Sequence, residues 1–235
     1  MRGTIIYDGL DLSMFGVYYD GSKEYDRPVK ESERVSIPGR SGDLFIPRKR
    51  WANLPLTFNC YIKDEFQTNY ALLSEFLNSR KGYKVLETSG QPEIYRMASF
   101  VSSISPDMEQ FNKAGKFSIE FDCKPQRILK SGTVMEEITS GTSINNPTAF
   151  ASQPLIRIYG NGVLAIGTQT VTVAGNTNAY VDVDSEIMDC FYGTTNLNSK
   201  VTLSGHEFPV LEPGANAITY TDITKVEIMP RWWMI

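Results

Sequence analysis

A chain of 235 residues, 41% hydrophobic and 21% charged, has room for one large or two small domains with a core of ordinary composition. Its net charge of −4 gives no ground for a general nucleic-acid binder. No run approaches the ~20 apolar residues that cross a bilayer. Asp8 and Asp11 interrupt the N-terminal apolar stretch, so a cytoplasmic start without a secretory signal is expected.

In chain order, the first stretch of note is "SIPGRSGDLFIPRKRW", Ser36 to Trp51. Its glycines are only three apart and no Lys-Ser/Thr follows, so it fails as a phosphate-binding loop. Arg48-Lys49-Arg50-Trp51 has the chemistry to touch nucleic acid, but Glu31 and Glu33 stand close upstream. The remaining reading is a hairpin. "RVSI" and "DLFI" are its strands, "PGRSG" is the turn, and Pro47 ends the second strand. Leu44 and Phe45 alternate in direction, so at least one faces a covering neighbour.

"LPLTFNCYIK" then alternates Leu56, Phe58, Cys60 and Ile62 with polar residues, as a half-buried strand does. Phe66, Tyr70, Leu73, Phe76 and Leu77 recur at helical spacing and predict the one substantial helix. Asp64 or Glu65 suits its start, and Arg80, Lys81 and Gly82 suit its end. "YKVLET", "EIYRMASFVSSIS" and "GKFSIEFDCK" read as strands. Turn signals at Pro106 and Ala114-Gly115 predict a hairpin between the last two.

A seam of small, polar and Pro residues runs from Lys124 to Pro154, and the charge balance changes there. Residues 1–130 carry nineteen basic and seventeen acidic side chains, and residues 131–235 carry four and ten. A domain boundary near residue 130 is expected. Beyond it come short strands: "PLIRIYG", "VLAIG", "QTVTVAG", "AYVDVDS", "MDCFYG", "KVTLSG", "AITYT" and "TKVEIMPRWW". They predict a β-sandwich of about 100 residues.

Chemistry is sparse. The lone histidine, His206, sits in a Gly/Pro-bounded turn without a visible nucleophile. Cys60, Cys123 and Cys190 are far apart and odd in number, which argues against a disulfide framework or zinc site. Asp182, Asp184 and Glu186 alternate. Calcium wants 6–8 oxygens in loop geometry, so a solvated strand face that guards an edge is the plainer reading. A hydrolase built on Asp182 with Asp184 or Glu186 would lack every other site component. No cofactor and no metal is expected.

The order of motifs resembles the distal tail protein family of long non-contractile phage tails. The matching segments are "IIYDGLDLSMFGV", "IPGRSGDLF", "LPLTFNCYI" with its helix, "PEIYRMASF", "GKFSIEFDCKPQRIL", "QPLIRIYGNG", "YVDVDSE", "FPVLEPGANAITY" and "PRWW". The resemblance implies a mainly β, two-domain protein. Residues 1–130 would form a ring-forming β-sandwich with one α-helix and a long hairpin. Residues 131–235 would form a galectin-like or carbohydrate-module-like β-sandwich. It implies a non-enzymatic virion protein at the tail tip, assembled in the bacterial host cytoplasm. Its partners would be itself as a homohexameric ring, the tail tube protein, a tail-associated fibre or lysin protein and receptor-binding proteins. DNA would pass through the ring in transit, and no membrane partner is implied. Expected interface residues are Arg40, Asp43, Leu44, Phe45 and Arg48. The alternative is a carbohydrate-binding host-recognition module that uses Tyr180, Phe191, Tyr192, Trp232 or Trp233.

Overall fold

The computed structural model describes residues 3–22, 25–104, 106–110 and 113–235. The chain divides into two compact units, residues 1–127 with Ile235, and residues 128–234. Among the described residues it is mainly β with a single α-helix.

The first unit carries β1 (Ile5–Tyr7), β2 (Leu10–Asp11), β3 (Tyr18–Ser22), β4 (Lys30–Val35), β5 (Leu44–Trp51), β6 (Leu54–Ile62), α1 (Phe66–Ser79), β7 (Lys84–Thr88), β8 (Ile94–Phe100) and β9 (Asp107–Gln110). β10 (Ala114–Leu129) begins in this unit and runs past its end. The main sheet has the order β2-β1-β7-β8-β10-β6-β3, with β9 also paired to β10, while β4 and β5 form a separate two-stranded sheet. Strict alternation fixes the centre. Leu54, Leu56, Phe58, Cys60 and Ile62 of β6 point into the core. Phe117, Ile119, Phe121 and Cys123 of β10 lie opposite Cys60, Phe58, Leu56 and Leu54. A one-residue slip would turn every one of these side chains to solvent.

The helix buries Phe66, Leu73 and Leu77 against this core. Its start differs from expectation. Glu65 sits at φ 51 and makes no side-chain cap. Asn69, one turn in, instead donates its amide to the Asp64 carbonyl at 3.0 Å. β8 neighbours β10 as expected, and β9 also pairs with β10. Part of that expected turn, at residues 105, 111 and 112, lies outside the described residues.

The second unit holds β11 (Glu136–Ile138), β12 (Thr142–Asn146), β13 (Leu155–Ile166), β14 (Gln169–Val173), β15 (Val181–Asp184), β16 (Asp189–Tyr192), β17 (Thr195–Asn196), β18 (Val201–Leu203), β19 (Gly214–Met229) and β20 (Trp233–Met234). The order is β11-β19-β13-β15-β16-β17, with β12 on β19 and β14 between β13 and β18. "PLIRIYG" and "VLAIG" belong to one strand, β13, rather than two. The "YGNG" between them is a bulged stretch, where the register against β19 shifts between Tyr159 and Gly160 and again between Gly160 and Val163. "AITYT" and "TKVEIM" likewise fuse into β19. A core of Ile156, Ile158, Leu164, Val181, Val183, Ile218, Val226 and Ile228 fills this unit, separate from the core of the first.

Candidate functional site

The β4–β5 ribbon is exposed along almost its whole length. It is longer than the sequence suggested. Pro47 does not end β5; it lies within it opposite Ser32, and the strand continues to Trp51. A two-stranded ribbon has only edges, so a proline without an N–H is tolerated. The tip loop turns through Gly39 and Gly42, at φ 80 and 83, a region open to glycine at little cost.

The register assigns the two faces. Val35 pairs with Leu44, Arg34 with Phe45, Glu33 with Ile46, Ser32 with Pro47 and Lys30 with Trp51. Directly opposed residues share a face and successive residues alternate. One face therefore carries Val35, Leu44 and Ile46 toward the tip, with Glu31, Glu33, Arg48 and Arg50 behind them. Its charges are paired: Arg48 Nη2 donates to Glu33 Oε2 at 2.9 Å, and Arg50 Nε lies 3.2 Å from Glu31 Oε1. The other face carries Lys30, Arg34, Phe45, Pro47, Lys49 and Trp51. It has no carboxylate, and the Lys30 ammonium lies 5.8 Å from the Trp51 ring centre. Arg48-Lys49-Arg50 is thus not one basic patch. Its two arginines are tied to carboxylates on one side and its lysine points to the other.

Of the expected interface residues, Leu44 is 40% exposed and Phe45 57%, on opposite faces. Arg40 and Asp43 are exposed in the tip loop, and Arg48 is in the cross-strand pair. Val35 and Ile46 belong to the apolar tip as well and were not singled out from the sequence. The regular spacing of Glu31/Glu33 against Arg48/Arg50 was the available sign of a longer ribbon.

The second unit offers a different picture from the solvated acidic face expected there. β15 lies between β13 and β16, so it guards no edge. Asp182 and Asp184 are 3% and 6% exposed. Asp182 accepts two hydrogen bonds from Arg157, at 2.8 and 2.9 Å. Asp184 accepts two from Arg231, at 2.7 and 2.8 Å, and one from the Glu186 backbone N–H at 3.0 Å. Burial alone would raise the Asp184 pKa. The Arg231 bonds and charge, with the Glu186 and Ile187 N–H groups, outweigh it and hold the carboxyl below its usual range. Such a carboxylate is an acceptor with no proton to give.

Trp232 is a core residue, and Trp233 stacks on Phe150 at 4.5 Å. The Arg157 guanidinium covers Tyr180 at 4.1 Å, and Lys225 stands over Tyr159 at 5.4 Å. Tyr192 meets Tyr180 edge to face, and Phe191 is half-buried opposite Asp182. Among the described residues, no three His, Cys, Asp or Glu side chains gather as metal ligands. All three cysteines are buried, and burial pushes each thiol up to about 12. His206 is exposed in the turn Ser204–His206. No helix in the described residues is long and apolar enough to cross a membrane.

No protein-family model and no curated protein sequence matches the chain. Solved structures do. The crystal structure of the Dit protein of phage SPP1, described as a paradigm of the hub adsorption apparatus in phages that infect Gram-positive bacteria, superposes with a TM-score of 0.77. The match has 15% identity and covers 99% of both chains. A chain of the phage P2 baseplate in its activated conformation with calcium matches with a TM-score of 0.52 and 12% identity, over 97% of both chains. The strontium form of that baseplate gives the same score and identity. The fold is that of the phage tail hub and baseplate proteins, the class that the order of sequence motifs resembles. Its nearest counterpart among these three is the SPP1 Dit hub protein.

Proposed function

We propose that the protein is a structural, non-enzymatic virion component, the hub at the distal end of a phage tail. Six copies close into a ring that joins the tail tube to the tail-tip or baseplate proteins and lets DNA pass. The second unit, a galectin-like sandwich, is presented to further tail-tip partners such as receptor-binding proteins. The observation that carries this reading is the likeness to the SPP1 Dit hub protein from end to end, 99% of each chain. A shared single domain would leave the role open, whereas this likeness takes in both units.

The ribbon supports self-association. Its tip exposes Val35, Leu44 and Ile46 on one face and Phe45 on the other, apolar surface that a solitary protein has no reason to leave in water. A closed ring requires one patch to meet a different patch on the next copy. The glycan alternative draws no support from Tyr180, whose face Arg157 covers, from Trp232, which is buried in the core, or from Trp233, which stacks on Phe150. The test is the mass of the purified protein in solution, which should rise to six chains with concentration.

A further inference from the structure

In the run Arg48-Lys49-Arg50-Trp51 only the arginines find carboxylates, Glu33 and Glu31, on the face that carries Val35, Leu44 and Ile46. Lys49 and Trp51 stand on the opposite face with Lys30, Arg34, Phe45 and Pro47. Lys30, Arg34 and Lys49 are all exposed. Among the described residues no carboxylate pairs with any of the three. The nearest carboxylates along the chain on either side, Asp26 and Asp43, each come with a cation, Arg27 and Arg40. Past Trp51, Asp122 accepts from Asn53 and Tyr83 instead.

Positive charge is concentrated in this element. Residues 26–51 carry seven basic and four acidic side chains, and the rest of the chain sixteen and twenty-three. The net charge of the whole chain hides a cationic ribbon on an acidic body. Lys30 and Arg34 stand four strand residues apart, about 14 Å, with Lys49 between them on the partner strand. The three form an open row, not a pocket.

Point cations in an open row suit a polyanion with regularly spaced charges. Duplex DNA carries a phosphate about every 3.4 Å along each strand, and each lysine or arginine set against it releases condensed counterions. Protein–protein interfaces, by contrast, are depleted in lysine. The major groove of duplex DNA also admits a two-stranded β-ribbon, and β4 and β5 form a sheet of their own.

We propose that the Lys30–Arg34–Lys49 face of the ribbon binds duplex DNA through its phosphates, without regard to sequence. The Val35–Leu44–Ile46 face takes no part. The contact is therefore open to a single chain and does not depend on the hub reading.

A titration of the full-length protein against a short labelled duplex, over a series of salt concentrations, tests it. With three phosphate contacts, the logarithm of the association constant should fall with the logarithm of salt at a slope of about −2.7. Lys30→Gln, Arg34→Gln and Lys49→Gln should each take about 0.9 off that slope. The triple variant should lose measurable binding. Arg50→Gln removes the same charge from the opposite face and should leave the slope unchanged. A duplex of unrelated sequence should bind equally, because phosphate contacts carry no sequence information. Thermal melts of each variant guard against loss of fold, to which exposed positions are least prone. Absence of binding at low salt overturns the proposal. So does an Arg50→Gln effect as large as that of Lys49→Gln. Polyglutamate that competes as well as DNA at equal charge also overturns it, and marks the face as a seat for an acidic protein. None of these outcomes bears on the hub reading, whose test is the mass in solution.

Discussion

Asp184 ties three pieces of backbone together: the end of β15, the following Glu186–Ile187 turn, and Arg231, forty-seven residues on. Its depressed pKa has a definite sign. A carboxyl whose folded-state pKa lies below the unfolded value of about 3.9 contributes its full stability above that value. The contribution fades as pH falls through the folded pKa. Thermal melts of the second unit should therefore be flat near neutrality and drop below about pH 4. Asp184→Asn should remove that part of the acid sensitivity and cost about 2–3 kcal/mol at pH 7, since it removes the carboxylate that accepts two charged hydrogen bonds from Arg231 in a site that is mostly closed to water. Equal acid profiles for the two proteins would contradict this account. The acidic alternation in "VDVDSE" misled the sequence reading for a physical reason. Whether alternate aspartates face water or bury against cations depends on partners far along the chain, here Arg157 and Arg231, which nothing local announces.

The elements that were legible are those whose periodicity repeats within their own length. β6, β10 and α1 each bury one face of an uninterrupted pattern, and the sequence shows it. β13 was cut in two because "YGNG" carries turn residues. In the structure those residues bend a strand without ending it. Gly162 sits at φ 154, and a Cβ there would come within 2.2 Å of the Thr221 carbonyl oxygen of β19. Gly162→Ala should cost about 2 kcal/mol or more, as strain and clash act together. Gly167→Ala, at φ 56 but with open space around it, should cost less. Chemical denaturation of both variants would decide it, and equal midpoints would contradict the bulge argument. The ribbon was misjudged in the same manner. Pro47 signals an ending in a central strand but not in a two-stranded ribbon whose outer edges are free. The candidate interface was half legible: Leu44, Phe45 and the turn could be read. Which face each residue shares with Val35, Ile46 and the paired ions required the register.

At the scale of the whole molecule, two separate cores and a charge imbalance between residues 1–130 and 131–235 frame the division of labour. A fragment ending near Lys130 is expected to fold and still self-associate. Residues 131–235 are expected to fold as a monomer. Association that followed the second fragment would reverse the assigned roles. The fold was readable from the order of many weak motifs along the chain, although no single one of them is specific, and the full-length likeness to the SPP1 Dit hub protein agrees with it. The central claim, that this chain builds a ring through its ribbon, is tested most directly by light scattering over a concentration series. The wild-type protein and Leu44→Asp should be measured alone and with the tail tube protein. The account predicts six times the 26.4 kDa chain mass for the wild type and a folded single chain for Leu44→Asp. A wild-type protein that stays at one chain mass in every condition, or a Leu44→Asp protein that assembles as the wild type does, would contradict it.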